Sequence, residues 1–316
     1  MSSPTTTIER RDLGEVVEEY ALAKSEADFI GLKIMPIFKT PLQQGNYPVI
    51  AVEQMLKPRV ITRAPRGNYN RGDWGFEQGN YACEEYGWEE VVDDANARNY
   101  ASYFDAEAIG AKIGTDVLLR GQDTRIKTIV EAQSAHSITN EWDDATNATP
   151  RSDVNTGIRT IVQATGMIPD LFVTTWTNFQ NLLVTDEVLD ATKYTGAITM
   201  VGFEAQKRMI AQYFGVNRVE VTNAIYNSAG EGQTLTASQI WSNEYAALVV
   251  TGSGSLQSGP CFGRSFLWQD DSPDNVNVES YREDAVRGTI IRTRHYVDEK
   301  VLNSSCIYLL SNMVTS

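Results

Sequence analysis

His136 and His295 are the only histidines in 316 residues, and they lie far apart in the chain. The commonest acid–base and zinc sites are built on imidazole, so this scarcity weakens the case for catalysis before any motif is met. His295 stands three residues before Asp298 in "RTRHYVDEK". Neither a G-x-S-x-G turn nor a catalytic-cysteine signature supplies a nucleophile for it, and His295 reads as a packed or exposed strand residue. The adjacent carboxylates Asp143 with Asp144 and Asp270 with Asp271 could share a hard cation; as neighbours in loops they read first as solvated side chains. "ALVVTGSGSLQSGP" sets glycines after a strand, but Gly252, Gly254 and Gly259 are not spaced G-x-G-x-x-G. No Lys-Ser/Thr follows them, and Pro260 leads into another strand instead of a helix. Cys83, Cys261 and Cys306 are odd in number and lack C-x-x-C spacing, which points away from a disulfide framework or zinc site and toward folding in a reducing cytoplasm. No catalytic residue, cofactor ligand or metal ligand is predicted.

The strongest pattern is one of charge. Residues 59–94, "RVITRAPRGNYNRGDWGFEQGNYACEEYGWEEVVDD", are too polar for a core and too rich in large aromatics for a linker. With Lys57 before them, Arg59, Arg63, Arg66 and Arg71 form a basic first limb. Asp73, Glu77, Glu84, Glu85, Glu89, Glu90, Asp93 and Asp94 form an acidic second limb. A structureless loop this long is unusual in a compact domain, so the stretch is expected to be a hairpin projecting from the body, with its turn near "RGNYNRGDWG". Within one hairpin the limbs would partly neutralise each other; across subunits the same polarity would fix orientation; a solvated loop is the plain alternative. Trp74, near the expected tip, has no core of its own and suggests contact with another surface. Trp88, Trp142, Trp176, Trp241 and Trp268 read as core or interface anchors.

The elements that position these residues follow from local signals. Asp12 and Glu15 fit a capping box before Leu13, Val16, Val17 and Tyr20, which predicts a short amphipathic helix over about 12–24. Pro36, Pro41 and Pro48 among apolar residues predict interrupted strands rather than a helix. From Asp105, a plausible N-cap, a helix of about eight turns is expected, with Ile109, Ile113, Val117, Ile126, Ile129 and Val130 on or near one stripe. Gly110, Gly114 and Gly121 would bend it or admit another backbone closely. A second helix is expected from about Asp153, capped by Ser152 or Asp153 and stopped at Gly166. Further on come a strand at "PDLFVTT", helical turns to Tyr194, a helix ending at Gly215, a strand at "VNRVEVTNAIYN", and strands gathered at the C-terminal end. This is an α+β pattern.

The chain is 42% hydrophobic and 22% charged, an ordinary globular balance. Its net charge of −14 repels phosphate backbones and argues against nucleic-acid binding as the purpose of the fold. Neither a secretion signal nor a membrane span is read in it.

Arm, projecting hairpin, long helix and α+β body, in that order, make the chain similar to the major capsid proteins of tailed double-stranded DNA bacteriophages, which share the Hong Kong ninety-seven-type fold. The resemblance runs from about Ile34 to Asn312. It is carried by "IMPIFKTPLQQGNYPVI", "YACEEYGWEEVVDDANARNY", "GMIPDLFVTTWTNFQNLL", "AQYFGVNRVEVTNAIYN" and "VRGTIIRTRHYVDEKVLNSSCIYLLSN". It implies an N-terminal arm (1–38), an extended loop with its base strands (39–99), a spine helix and peripheral domain (100–165), a mainly axial domain (166–275), and C-terminal strands completing the body (276–316). It further implies hexamers and pentamers of an icosahedral shell around packaged DNA, assembled in the host bacterial cytoplasm and located in the virion capsid. The implied partners are other copies of the chain, a separate scaffolding protein, a portal protein and a decoration protein. Some family members cross-link a loop lysine to a neighbour's asparagine; Lys57 is the limb's one lysine and lies near its base, so that chemistry is not predicted. Arg59, Arg63, Arg66, Arg71, Asp73, Trp74, Glu77, Glu84 and Glu85 are the candidates for contacts between subunits, and deleting 60–92 is expected to spare the body. An encapsulin-like shell around cargo protein and a cytosolic hydrolase are the alternative readings.

Overall fold

A computed structural model describes residues 8–9, 29–49, 57–59, 61–63, 65–72, 75, 77–100, 105–193, 202–230, 232–234, 236–252 and 259–315. The helix expected over 12–24, Asp73 and Trp74 lie outside the described residues.

"GTIIRTRHYVDEKV" alternates in burial along its length, as a strand does when its two faces meet different surroundings. This strand, β14 (Gly288–Val301), is the spine of a six-stranded sheet. It pairs along one edge with β13 (Asn277–Glu283) and β12 (Gly263–Trp268), both antiparallel. Its other edge carries β5 (Glu84–Asp93), from Asp93 opposite Gly288 to Glu84 opposite Val297. β2 (Ile37–Thr40) lies parallel to β12, and β1 (Ile8–Glu9) pairs with β13. A one-turn helix, α1 (Gly31–Ile34), precedes β2 where only strands are expected. The β13–β14 turn places Arg287 at φ 49°.

A second, five-stranded sheet has the order β6 (Ala135–Ser137), β15 (Ile307–Ser311), β11 (Tyr245–Val249), β7 (Leu171–Thr175), β8 (Arg218–Thr222). β7 and β8 are parallel, and the chain between them forms α5 (Trp176–Val184), α6 (Asp186–Thr192) and α7 (Phe203–Phe214). All five residues of β7 are buried, which explains its unbroken apolar and threonine run. α4 (Pro150–Thr165) packs on this sheet, where a Cβ on Gly157 would stand 2.7 Å from both Leu248 and Tyr308. It starts at Pro150, three residues before the expected start at Asp153: Pro150 supplies the first turn, and Thr149 makes no side-chain cap bond. Gly166 and Gly215 close α4 and α7 at φ 73°, the left-handed conformation that favours glycine. β9 (Ile225–Asn227) and β10 (Ala237–Gln239) form a small ribbon.

The long helix, α3 (Ala106–Glu131), starts where its N-cap predicts, with Asp105 accepting from the backbone N–H of Glu107 at 2.9 Å and of Ala108 at 3.4 Å. A different face from the predicted stripe meets the sheet. Gly110, Ala111, Gly114, Thr115 and Leu118 are buried, whereas Ile109, Ile113 and Val117 are exposed. The reason is distance: a Cβ on Gly114 would stand 2.6 Å from Thr293 Oγ1, so α3 lies so near β14 that the contact ridge needs glycine and alanine. Further along, Leu119, Ile126 and Val130 join the main core, as their periodicity predicts for Ile126 and Val130.

The hairpin pairs a strand that precedes the basic limb with one that carries only Glu77 of the acidic limb. β3 (Gln44–Val49) pairs with β4 (Glu77–Ala82), from Gln44 opposite Ala82 to Val49 opposite Glu77. The aromatic rings of Tyr47, Tyr81 and Phe266 stack at the base of this ladder. Residues 50–76 connect the two strands; among them the described basic limb forms no strand, and a turn at Pro65 and Arg66 places Arg66 at φ 63°. Because β5 is a strand of the body sheet, the deletion of 60–92 would remove part of the body, contrary to expectation. The short helix α2 (Asp94–Tyr100) follows β5, with Asp93 accepting from the N–H of Ala95 and Asn96.

Candidate functional site

Lys57, Arg59, Arg63, Arg66 and Arg71 are all exposed. Arg63 is held within the loop: its Nε donates to the Gly67 carbonyl at 2.6 Å and its guanidinium lies 4.6 Å from the Tyr69 ring centre. Among the described residues, none of these five cations has a carboxylate within ion-pair distance. Ile61 between them is 90% exposed. Exposed cations beside an exposed aliphatic side chain are groups that would gain from contact, since burying apolar area and pairing charge are the two gains available there.

The acidic residues stand elsewhere. Glu77 lies exposed at the outer end of β4. Glu84 accepts from Tyr86 Oη at 3.3 Å, Glu85 from Tyr296 Oη at 2.8 Å and Glu90 from Trp88 Nε1 at 2.7 Å. Glu89 pairs with Arg292 at 2.7 Å and Asp94 takes both arms of Arg282 at 2.6 Å. Among the described residues no ion pair joins the two limbs; Glu89 and Asp94 are instead answered by Arg292 of β14 and Arg282 of β13. The strand ladder causes this, because register fixes Glu89 opposite Arg292.

Beneath β5 lies a buried polar cluster. Arg125 of α3 forks onto Glu299, with Nε and Nη2 at 3.1 and 2.9 Å, and stacks 3.7 Å from the ring centre of Tyr86. His295 is fully buried; its Nδ1 lies 3.0 Å from the Asn275 carbonyl, so that nitrogen donates and Nε2 is left to accept from Arg125 at 3.4 Å. Burial first, and the Arg125 charge second, lower its pKa to about 3. Asp298 is an odd number of residues from His295 along β14 and so faces the other side; it accepts from the Ala82 N–H at 2.8 Å. The two do not form a catalytic pair. Asp123, also buried, accepts from Gly31 N at 2.7 Å and Trp241 Nε1 at 2.8 Å, clasping α1 and the loop before β11 to α3. Burial raises its pKa to about 6 against the opposing effect of these hydrogen bonds. Sequence reading missed this clasp, because nothing local marks Asp123 as buried.

The other chemistry-bearing residues are structural. The three cysteines are buried and free, and burial pushes Cys83 up to about 11 and Cys306 up to about 12. Asp144 caps a turn through Asn147 and Thr146, Asp143 accepts from Thr315, and Asp271 pairs with Arg294. His136 stacks on Tyr308. Trp142 and Trp241 are buried, while Trp88 and Trp176 are exposed. Among the described residues no group of three or more His, Cys, Asp or Glu is placed to hold a metal ion, and no helix is long and apolar enough to cross a membrane. Gly254 lies outside the described residues.

No protein-family model and no curated protein matches the sequence. The fold does match. A phage-related protein from Bordetella bronchiseptica superposes with a TM-score of 0.72 at 16% identity, over 98% of both chains. A virus-like particle from Pyrococcus furiosus gives 0.59 at 10% identity, over 95% of this chain and 98% of that one. The capsid of cyanophage P-SCSP1u gives 0.58 at 9% identity, over 98% and 90%. The chain has the α+β fold of phage capsid proteins, the Hong Kong ninety-seven type, along nearly its whole length.

Proposed function

We propose that the chain is the structural subunit of an icosahedral phage capsid, assembling with copies of itself into hexamers and pentamers around packaged double-stranded DNA. The observation that carries this reading is the capsid fold over nearly the full chain, joined to a projecting loop whose cations find no carboxylate among the described residues of their own subunit. The role is structural rather than catalytic. With it goes the division into an N-terminal arm (1–38), an extended loop with its base strands (39–99), a spine helix and peripheral domain (100–165), a mainly axial domain (166–275) and C-terminal strands completing the body (276–316). Arg59, Arg63, Arg66, Arg71, Glu77, Glu84 and Glu85 make contacts between subunits; Asp73 and Trp74 are proposed with them on sequence grounds. Many modest contacts repeated round a closed lattice supply avidity, and the net charge of −14 limits adhesion to the DNA inside. Scaffolding, portal and decoration proteins are the further partners, with assembly in the host cytoplasm and residence in the virion.

Electron microscopy of the purified protein under assembly conditions tests the reading. Closed shells are expected; monomers under every condition would overturn it, and native shells holding protein cargo and no nucleic acid would replace it with an encapsulin-like compartment.

A further inference from the structure

β5 is ten residues long, and among the described residues only β14 pairs with it. Its outer edge thus presents backbone N–H and C=O groups along an uninterrupted strand, without proline or a bulge to blunt it. Register fixes which side chains lie on which face. Trp88 is opposite Thr293, and Thr293 points at Gly114 of α3; Glu90 is opposite Ile291, and both approach Gly110. Glu84, Tyr86, Trp88 and Glu90 therefore share the face of the sheet on which α3 lies.

α3 runs over this face from Gly110, whose Cβ would be 3.5 Å from Val92, to Arg125 above Tyr86. Ala111 packs toward β13 with Val278 and Ile291. At 100° per residue, Ile109, Ile113 and Val117 fall on the opposite flank of the helix, the one over the outer edge of β5. Ile113 and Trp88 are each 46% exposed. A strand edge roofed by an apolar flank and fringed by Glu84 and Glu90 is an acceptor for an extended segment with an apolar residue between two cations.

The chain carries such a segment. Arg59, Ile61 and Arg63 are spaced i, i+2, i+4, so in an added strand all three would face the same way. They are exposed, and neither arginine meets a carboxylate among the described residues of its own subunit. Resting on the shell reading above, we propose that the outer edge of β5 takes the segment bearing Arg59, Ile61 and Arg63 of a second copy as an added strand. Ile61 settles against Trp88, Ile113 and Val117, and the arginines reach Glu84 and Glu90.

Oxidative pairing of introduced cysteines tests this, because directly opposed residues of paired strands have Cα atoms about 4.5–5.5 Å apart, within the span of a disulfide, and the native cysteines are buried. Ile61→Cys with Trp88→Cys in one chain should give ladders of covalent multimers from assembled particles, and Ile61→Cys with Val91→Cys, on the opposite face of β5, should not. Assembled particles of the first variant without disulfide-linked multimers, or equal linking in the second, would overturn the docking and leave the shell reading intact; a wild-type chain that never assembles would overturn both. Charge reversal decides the matter if the cysteine pair itself blocks assembly. Arg59→Glu with Arg63→Glu should lower particle yield about tenfold, and adding Glu84→Arg with Glu90→Arg should restore it; lack of restoration would overturn the docking.

Discussion

At the scale of single residues, two buried titratable groups act in opposite senses. Asp123 has a folded-state pKa raised to about 6, so its contribution to stability is complete below the unfolded value of about 3.9 and is lost as pH rises through about 6. His295 has one lowered to about 3, so its contribution is present above about 6.5 and is lost as pH falls toward 3. Asp123→Asn sets an amide donor against Gly31 N–H or Trp241 Nε1–H, and at pH 4 it should cost about 1–3 kcal/mol in denaturant melts. The difference from wild type should shrink at pH 7, where the ionised aspartate itself bears the burial penalty. A wild-type advantage that grows with pH would contradict the assignment. His295→Asn should flatten the loss of stability between pH 6.5 and 4, read in the same melts.

At the scale of elements, the contact between α3 and β14 makes a paired prediction. Gly114→Ala forces a Cβ against Thr293 and should destabilise by about 1–3 kcal/mol. Gly121→Ala meets only Arg125, at 3.7 Å, and should be neutral or stabilising by up to about 1 kcal/mol. Equal thermal shifts would argue against the close approach. This contact also shows where sequence reading stops. Asp105, Gly166 and Gly215 are local signals, and the helix ends they mark are right. The buried face of α3 is not local: large side chains ordinarily point inward, but here the separation of two backbones selects glycine and leaves Ile109, Ile113 and Val117 outside. The partners of the acidic limb were hidden for a related reason. Charge segregation within 59–94 is plain to read, but the strand that answers Glu89 lies about two hundred residues away.

At the scale of the whole molecule, the loop and the body should separate cleanly if the cut is made where the β3–β4 ladder ends. Replacing 50–76 by a two-residue Asn-Gly turn joins Val49 to Glu77, a terminal pair of that ladder. The shortened chain should fold with unchanged circular dichroism and form no closed shells; normal shells would show that the loop is dispensable. Arg63→Glu, Arg66→Glu and Arg71→Glu together should impair assembly while leaving the melting temperature of the isolated subunit nearly unchanged. Equal loss of both would mean that these arginines act within their own chain.

The placing of β14 has a consequence for how the molecule is made. The strand at the centre of the six-stranded sheet spans Gly288–Val301, and β5 on its edge is translated about two hundred residues earlier. At about 5–20 residues per second, β5 waits on the order of 10–40 s on the ribosome before its partner emerges. A nascent chain that has not passed Val301 therefore has no completed sheet beneath α3. Order of synthesis thus makes β14 the last strand supplied to the six-stranded sheet, and β5 and α3 meet a complete sheet only when the chain is nearly finished.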